Sequence, residues 1–337
     1  MLLVASDAVF AEHAPGPGHP ERPARLAAVQ RGLLASGLGD ALVPVESRDA
    51  TRDELERVHR PAYLDHLVAL SAAGGGALDP DTEVSSASWA AAIRASGDGL
   101  AAAAALRNGR GDAAFLAVRP PGHHALPAQG MGFCLVNHIA VVAAALAAEG
   151  DRVCILDWDA HHGNGTQEIF HDRADVLYVS WHEWPLYPGT GRLDDRGEGP
   201  GLGATCNLPL PAGATGDVYL RAFDDVVAPL VASFVPDWIL VSAGFDAHRA
   251  DPLTGLGLSA GDFAALMDRS TDLAGRPGRT LAFLEGGYDL GALEASVAAA
   301  VPRLLGAEPP VETEPPTNGG PGRTAVAAAA DLWAGLT

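Results

Sequence analysis

The sequence predicts an α/β fold: a single open three-layer α/β/α domain around a mostly parallel central sheet. Two observations carry this. Apolar runs alternate with helical stretches along the chain, as expected for one large α/β unit. Four of those runs also end alike, in small residues followed by a chemically capable side chain. Unbroken apolar runs are what strands buried on both faces of a parallel sheet require.

Taken in order, helical stretches at Arg22–Ser36 and Trp89–Leu106 precede the first of these runs, Ala114–Val118, which leads into Arg119-Pro120-Pro121-Gly122-His123-His124. A helix at Ile139–Ala148 precedes the second, Val153–Leu156, which feeds into Asp157-Trp158-Asp159-Ala160-His161-His162-Gly163. After a helical Asp217–Phe234, the run Trp238–Ser242 reaches Ala243-Gly244-Phe245-Asp246. After Gly261–Ala274, the run Thr280–Leu284 reaches Glu285-Gly286-Gly287-Tyr288. Ligands of open α/β sheets bind outside the carboxyl ends of the strands. Four such endings therefore gather their polar tips at one sheet edge, which is an active-site layout.

The metal reading starts from Asp159 and His161. On an extended backbone these two side chains project to the same side, and together they make half of a tetrahedral site. An Asp in that position could equally cap the next helix; the fourfold recurrence favours a site. Asp246 supplies a third ligand from another strand, leaving an open position for water. That set suits zinc, and its hard carboxylates also suit Fe(II) or Mn(II).

The ordered set Pro121-Gly122-His123-His124, Asp157 to Gln167, Ser242 to Asp246 and Glu285 to Tyr288 resembles the zinc-dependent histone deacetylase superfamily. The nearest likeness is to its class II-like branch of bacterial deacetylase-like amidohydrolases and acetylpolyamine amidohydrolases. Lesser matches run from His19–Arg25 through Val58–Leu64, Gly132-Phe133-Cys134 and Tyr187–Gly191 to Asn207–Pro211, so the likeness covers roughly residues 1–305. It implies the arginase/deacetylase fold and removal of acetyl or other short acyl groups from an amine. The side chain of acyl-lysine is the preferred substrate, with an acetylpolyamine or another small acylated amine as the rival.

The resemblance also implies roles. Asp159, His161 and Asp246 hold the metal. His124 is general base and then acid, and His123 is mainly electrostatic. Asp157 fixes the tautomer of His123, and Asn164 that of His124. An amide at Asn164 agrees with class II and should make His124 less basic than a carboxylate would. Tyr288 donates to the oxyanion, and the glycines before it let the backbone approach closely. Phe133 and Tyr187 line a narrow tunnel, Gly132 offers a backbone contact, and Asp81 is a candidate rim acceptor. Leu253 falls where polyamine-specific relatives carry Glu, which leans towards acyl-lysine. Structural potassium is implied at backbone carbonyls around Asp157, Asp159, His161, Ser180 and Trp181. His162, pointing away from the ligands, reads as structural. An arginase-like two-manganese enzyme would need further carboxylates and is disfavoured by His123, His124 and Tyr288. A non-catalytic acyl-lysine binder would be expected to lack one of these groups, and none is missing.

Composition limits the partners. All 22 basic residues are arginines, against 42 acidic ones, for a net charge of −20. This argues against direct contact with nucleic acid and favours the approach of cationic substrates. Cys134, Cys154 and Cys206 lie in apolar surroundings, as expected for reduced thiols in a cytoplasmic protein. The start of the chain does not read as a secretory signal, and no apolar stretch is long enough to span a membrane. The oligomeric state is left open. The catalytic domain is placed at 1–306, followed by a Pro/Gly-rich tail over 307–337. That tail is expected to be flexible, with a short docking helix near Ala325–Leu336.

Overall fold

The computed structural model describes residues 1–309 and 313–335. The main sheet has eight strands: β1 (Leu2–Ala5), β2 (Leu42–Pro44), β5 (Ala113–Leu116), β6 (Val153–Asp157), β7 (Val176–Glu183), β8 (Thr205–Leu210), β9 (Trp238–Ala243) and β10 (Thr280–Leu284). A separate antiparallel hairpin pairs β3 (Gly75–Ala77) with β4 (Glu83–Ser85). The main-sheet order is β2-β1-β5-β10-β9-β6-β7-β8, and every pairing is parallel.

The four runs singled out in the sequence are β5, β10, β9 and β6, which are consecutive neighbours in that order. Being central, they are covered on both faces, and this explains their unbroken apolarity. Cys154 and Leu156 of β6 face one hydrophobic core, while Val153 and Ile155 face the other. One core is closed by helices at Ala24–Ala35, Ala260–Leu273 and Leu290–Ala300, the other by helices at Pro61–Ala72, Ser88–Arg107 and His138–Ala148. The stretch predicted as a helix over 217–234 is interrupted by a wider π turn at Phe223–Val227, just before Pro229. Proline has no N–H to give to an i−4 carbonyl, so the α ladder is broken at that point.

The end of the chain departs from the expected flexible tail. Thr317 donates its N–H and its hydroxyl (2.7 Å) to Asp262, the carboxylate that also accepts the Ser259 N–H in the capping box of the Ala260–Leu273 helix. The Gly320 N–H donates to Thr215 Oγ1 at 2.8 Å. The helix Arg323–Trp333 then buries Val326, Ala329 and Trp333 in the first core. The tail's polar composition gives it no core of its own, but its few apolar residues share the core of the domain. Pro310, Val311 and Glu312 of the tail, and Leu336 at the end of the expected helix, lie outside the described residues. Trp333→Ala is expected to lower the unfolding free energy by about 3–5 kcal/mol, read as a fall in denaturant midpoint. An unchanged midpoint would show that the domain does not depend on this helix.

Candidate active site

The loops leaving β5, β6, β9 and β10 meet at the carboxyl edge of the sheet, cross-bonded through buried carboxylates. Asp159 Oδ2 accepts the N–H of Gly286 at 2.7 Å, and Asp246 Oδ1 accepts that of Ala160 at 2.8 Å. The other oxygen of each converges on His161, whose Nδ1 lies 2.9 Å from Asp246 Oδ2 and 3.2 Å from Asp159 Oδ1, the latter also accepting the His161 N–H at 2.9 Å. One ligand atom from each of the three residues lies within 4.8 Å of the others. Glycine is required beside them: a Cβ at Gly286 would stand 2.3 Å from Asp246 Oδ2, and one at Gly244 would stand 2.2 Å from Asp159 Oδ2.

The charges of this cluster suit a cation. Burial, then the charge of Asp159, pushes the Asp246 carboxyl up to about 7. Burial would lower the pKa of His161, but hydrogen bonds to Asp159 and Asp246 and their charges raise it well above the ordinary imidazole value. Two buried carboxylates here need a positive partner. Two oxygens and an imidazole nitrogen, already oriented by backbone donors, are a donor set that fits a divalent metal.

The histidine pair is anchored differently at each ring. His123 Nδ1 donates to Asp157 Oδ2 at 3.0 Å, an oxygen that also accepts the Tyr178 hydroxyl. His124 Nδ1 donates to Asn164 Oδ1 at 2.7 Å, and the Asn164 amide nitrogen donates to the sulfur of Met131, which fixes which way the amide points. The two rings sit 4.1 Å apart. Burial lowers both pKa values, but Asp157 and Asp159 reverse this for His123 and raise it to about 10. His124, flanked by His123 and His161, is held well below the ordinary value. The site thus pushes the two neighbouring rings in opposite directions.

The remaining predicted residues surround this group. Gly132 and Phe133 form a tight turn between Met131 and Cys134, with φ of 56° and 68°. A Cβ at Gly132 would lie 2.5 Å from His124 Cδ2 and 3.0 Å from Tyr187. Phe133 carries an aromatic side chain in a left-handed conformation that such residues rarely adopt. Its ring meets Tyr288 edge-on at 5.8 Å, while the ring of Tyr187 stands 5.3 Å from His124 and 6.3 Å from His161. Asp81 lies behind Phe133: Thr82 accepts the Phe133 N–H and donates to Asp81 Oδ1 at 3.0 Å. Leu253 is 37% exposed, and its N–H donates to Asp251 Oδ1 at 3.0 Å. His162 is bonded on both nitrogens, to Thr190 and Gln167, as a structural residue would be.

Sequence reasoning gave no role to several groups that hold this arrangement. Glu285 Oε2 accepts the N–H groups of Gly122 (2.6 Å) and His123 (3.1 Å). His123, Cys134 and Glu285 are a second close set of donor atoms, but this carboxylate and His123 Nδ1 already have protein partners. Arg25 donates to the carbonyls of Glu285 and Gly287 (2.7 Å to the latter), and its guanidinium lies 5.0 Å from the centre of the Tyr288 ring. Arg25 and Arg119 both pair with fully buried Glu21. The sequence signals for Glu21 and Arg25 were their place in the His19–Arg25 match and their four-residue spacing at a helix start. A 590 Å³ cavity at the opposite sheet end, beside Met1, Asp112 and Thr280, gathers no comparable set.

Comparison with known proteins agrees with this geometry. The histone deacetylase domain, as a sequence family, matches residues 19–304. The chain belongs to the histone deacetylase family. It is 40% identical to a probable deacetylase of Archaeoglobus fulgidus over 83% of this chain and 79% of that protein. With the histone deacetylase-like amidohydrolase of Pseudomonas aeruginosa it shares 41% identity over 80% of this chain and 73% of the relative. Histone deacetylase 15 of Arabidopsis thaliana is 40% identical over 89% of this chain, which spans only 56% of that longer protein. The crystal structure of the HDA15 HD domain superposes with a TM-score of 0.90 at 35% identity, covering 99% of this chain and 96% of that one. The fold of the family is therefore the fold of this chain.

Proposed function

We propose that this histone deacetylase family member is a zinc-dependent amidohydrolase that removes acetyl or other short acyl groups from an amine, with the acyl-lysine side chain as preferred substrate. The observation that carries the reading is the convergence of Asp159, His161 and Asp246 beside the His123–His124 pair, whose rings are anchored differently by Asp157 and Asn164. A divalent ion bound by the three ligands, Zn(II) or in its place Fe(II), would supply Lewis acidity and a water of lowered pKa.

The protein's own groups then divide the work. His124 is the general base because Asn164 occupies its Nδ1, leaving Nε2 to take a proton from the attacking water and return it to the leaving amine. Two neighbouring titratable groups driven apart in pKa are the usual mark of such a division. His123, kept positive by Asp157, stabilises negative charge. Tyr288 is buried beside these groups and donates its hydroxyl to the oxyanion. Phe133 and Tyr187 hold the methylenes of the substrate and exclude water, Gly132 offers a backbone contact, and Asp81 accepts at the rim. Potassium is assigned to the carbonyls around Asp157, Asp159, His161, Ser180 and Trp181, where Asp157 and Ser180 are paired in register. The three cysteines are free and buried, which fits a reducing compartment such as the cytoplasm. No described helix is long and apolar enough to cross a membrane.

Leu253 separates the two substrate classes. Half-exposed and apolar, it has no charge to offer the distant ammonium of a polyamine, whereas Glu would make a charge-assisted contact. The wild type is expected to prefer acyl-lysine peptides to N-acetylpolyamines. Leu253→Glu is expected to move the ratio of kcat/KM values towards the polyamines at fixed ionic strength. Strong polyamine preference in the wild type, or no movement in the variant, would place specificity elsewhere on the rim. No turnover of any acylated amine by metal-loaded protein would refute the proposed reaction itself.

A further inference from the structure

The Tyr288 hydroxyl is useful only where it is aimed, and the main chain that aims it is held by a carboxylate outside the catalytic set. Asp251 lies on the loop after β9, is 7% exposed, and divides its two oxygens between two segments. Oδ2 accepts the N–H of Tyr288 at 2.7 Å and, more weakly, that of Asp289 at 3.4 Å. Oδ1 accepts the N–H of Leu253 at 3.0 Å. The Asp251 N–H itself donates to the His248 carbonyl, so the carboxylate is carried on a bonded turn.

The other anchors of the segment act on its neighbours. Gly286 is tied to Asp159, Arg25 binds the carbonyls of Glu285 and Gly287, and Asp289 caps the Leu290–Ala300 helix through the Ala292 N–H. Gly287, with φ of 119°, sits immediately before Tyr288 and has no Cβ to restrict rotation there. A small main-chain rotation at Tyr288 would be magnified along its side chain, and Asp251 opposes it. We infer that Asp251 is a positioning residue for catalysis, which fixes the Tyr288 hydroxyl and, through its other oxygen, ties it to the loop carrying Leu253. The inference rests on the proposed role of Tyr288 as oxyanion donor.

The test is a double-mutant cycle on metal-loaded protein with an acetyl-lysine peptide. Asp251→Asn keeps the shape but turns an amide N–H either towards the Tyr288 and Asp289 donors or towards that of Leu253, so an anchor is lost. It is expected to lower kcat by about 10–100-fold, the usual scale for an ångström-sized misplacement, with KM changed less than about threefold. In a Tyr288→Phe background the same substitution is expected to cost less than about threefold, because residues acting through one group are not additive. Equal losses in both backgrounds would overturn the inference, since Asp251 would then act on something other than the hydroxyl. Tyr288→Phe alone reads the underlying proposal: unchanged kcat there would refute the role of the hydroxyl and this inference with it. If Asp251→Asn does not fold, Asp251→Ser, which removes the carboxylate without adding bulk, is read in the same cycle against the same two outcomes.

Discussion

Removing the divalent ion by chelation is expected to abolish turnover, and returning zinc is expected to restore it. Asp246→Asn is expected to produce the same loss without chelator. The amide keeps an oxygen for the Ala160 N–H, so the loop need not move, but the anionic ligand is gone. Metal catalysis of this kind is worth several kcal/mol of transition-state stabilisation, so kcat should fall by about 10³-fold or more. Elemental analysis should find one catalytic divalent ion per wild-type chain. These effects follow from the orientation of the donors. Each carboxylate has one oxygen engaged by a backbone N–H from another loop, and each directs the other towards His161. Full activity in metal-free protein would sink this mechanism.

The second large effect concerns the groups that handle the proton and the oxyanion. Tyr288→Phe removes the proposed oxyanion donor and is expected to lower kcat by about 10²–10³-fold. His124→Ala should be at least as damaging, because both proton transfers of the proposed mechanism pass through that ring. His123→Ala should act differently. It leaves Asp157 buried with one partner fewer, the Tyr178 hydroxyl and the Asp159 N–H remaining. Steady-state kinetics of the three variants on one substrate, with metal content checked for each, separates these roles. If His124→Ala kept most of its activity while His123→Ala did not, the roles of the two histidines would have to be exchanged.

The central strands and the candidate catalytic set were legible in the sequence because both leave short-range signals. β5, β10, β9 and β6 are covered by helices on both faces, so each must be apolar throughout. Their carboxyl ends are where polar residues can emerge, and His123, Asp159, Asp246 and Tyr288 follow them directly. Alternation on an extended backbone was the reason to pair Asp159 with His161, but β6 ends at Asp157 and both residues lie in the bend beyond it, so the loop rather than strand alternation brings them together. The edge strands β2 and β8 were less visible, being short or interrupted by Pro44 and Pro209.

Tertiary structure alone decided which distant groups hold that site in place. Glu21 beneath Arg119, Asp251 on the Tyr288 N–H, and Thr317 on Asp262 are partnerships between residues far apart in the chain. A buried carboxylate must find donors, but nothing in its local sequence says which ones, because the choice is made when the loops and the last helix close over the sheet. Periodicity and strand-end chemistry are properties of neighbouring residues, so the chain alone determined the reactive groups. The satisfaction of buried polar groups is a property of the packed whole, so only the fold determined how those groups are aimed.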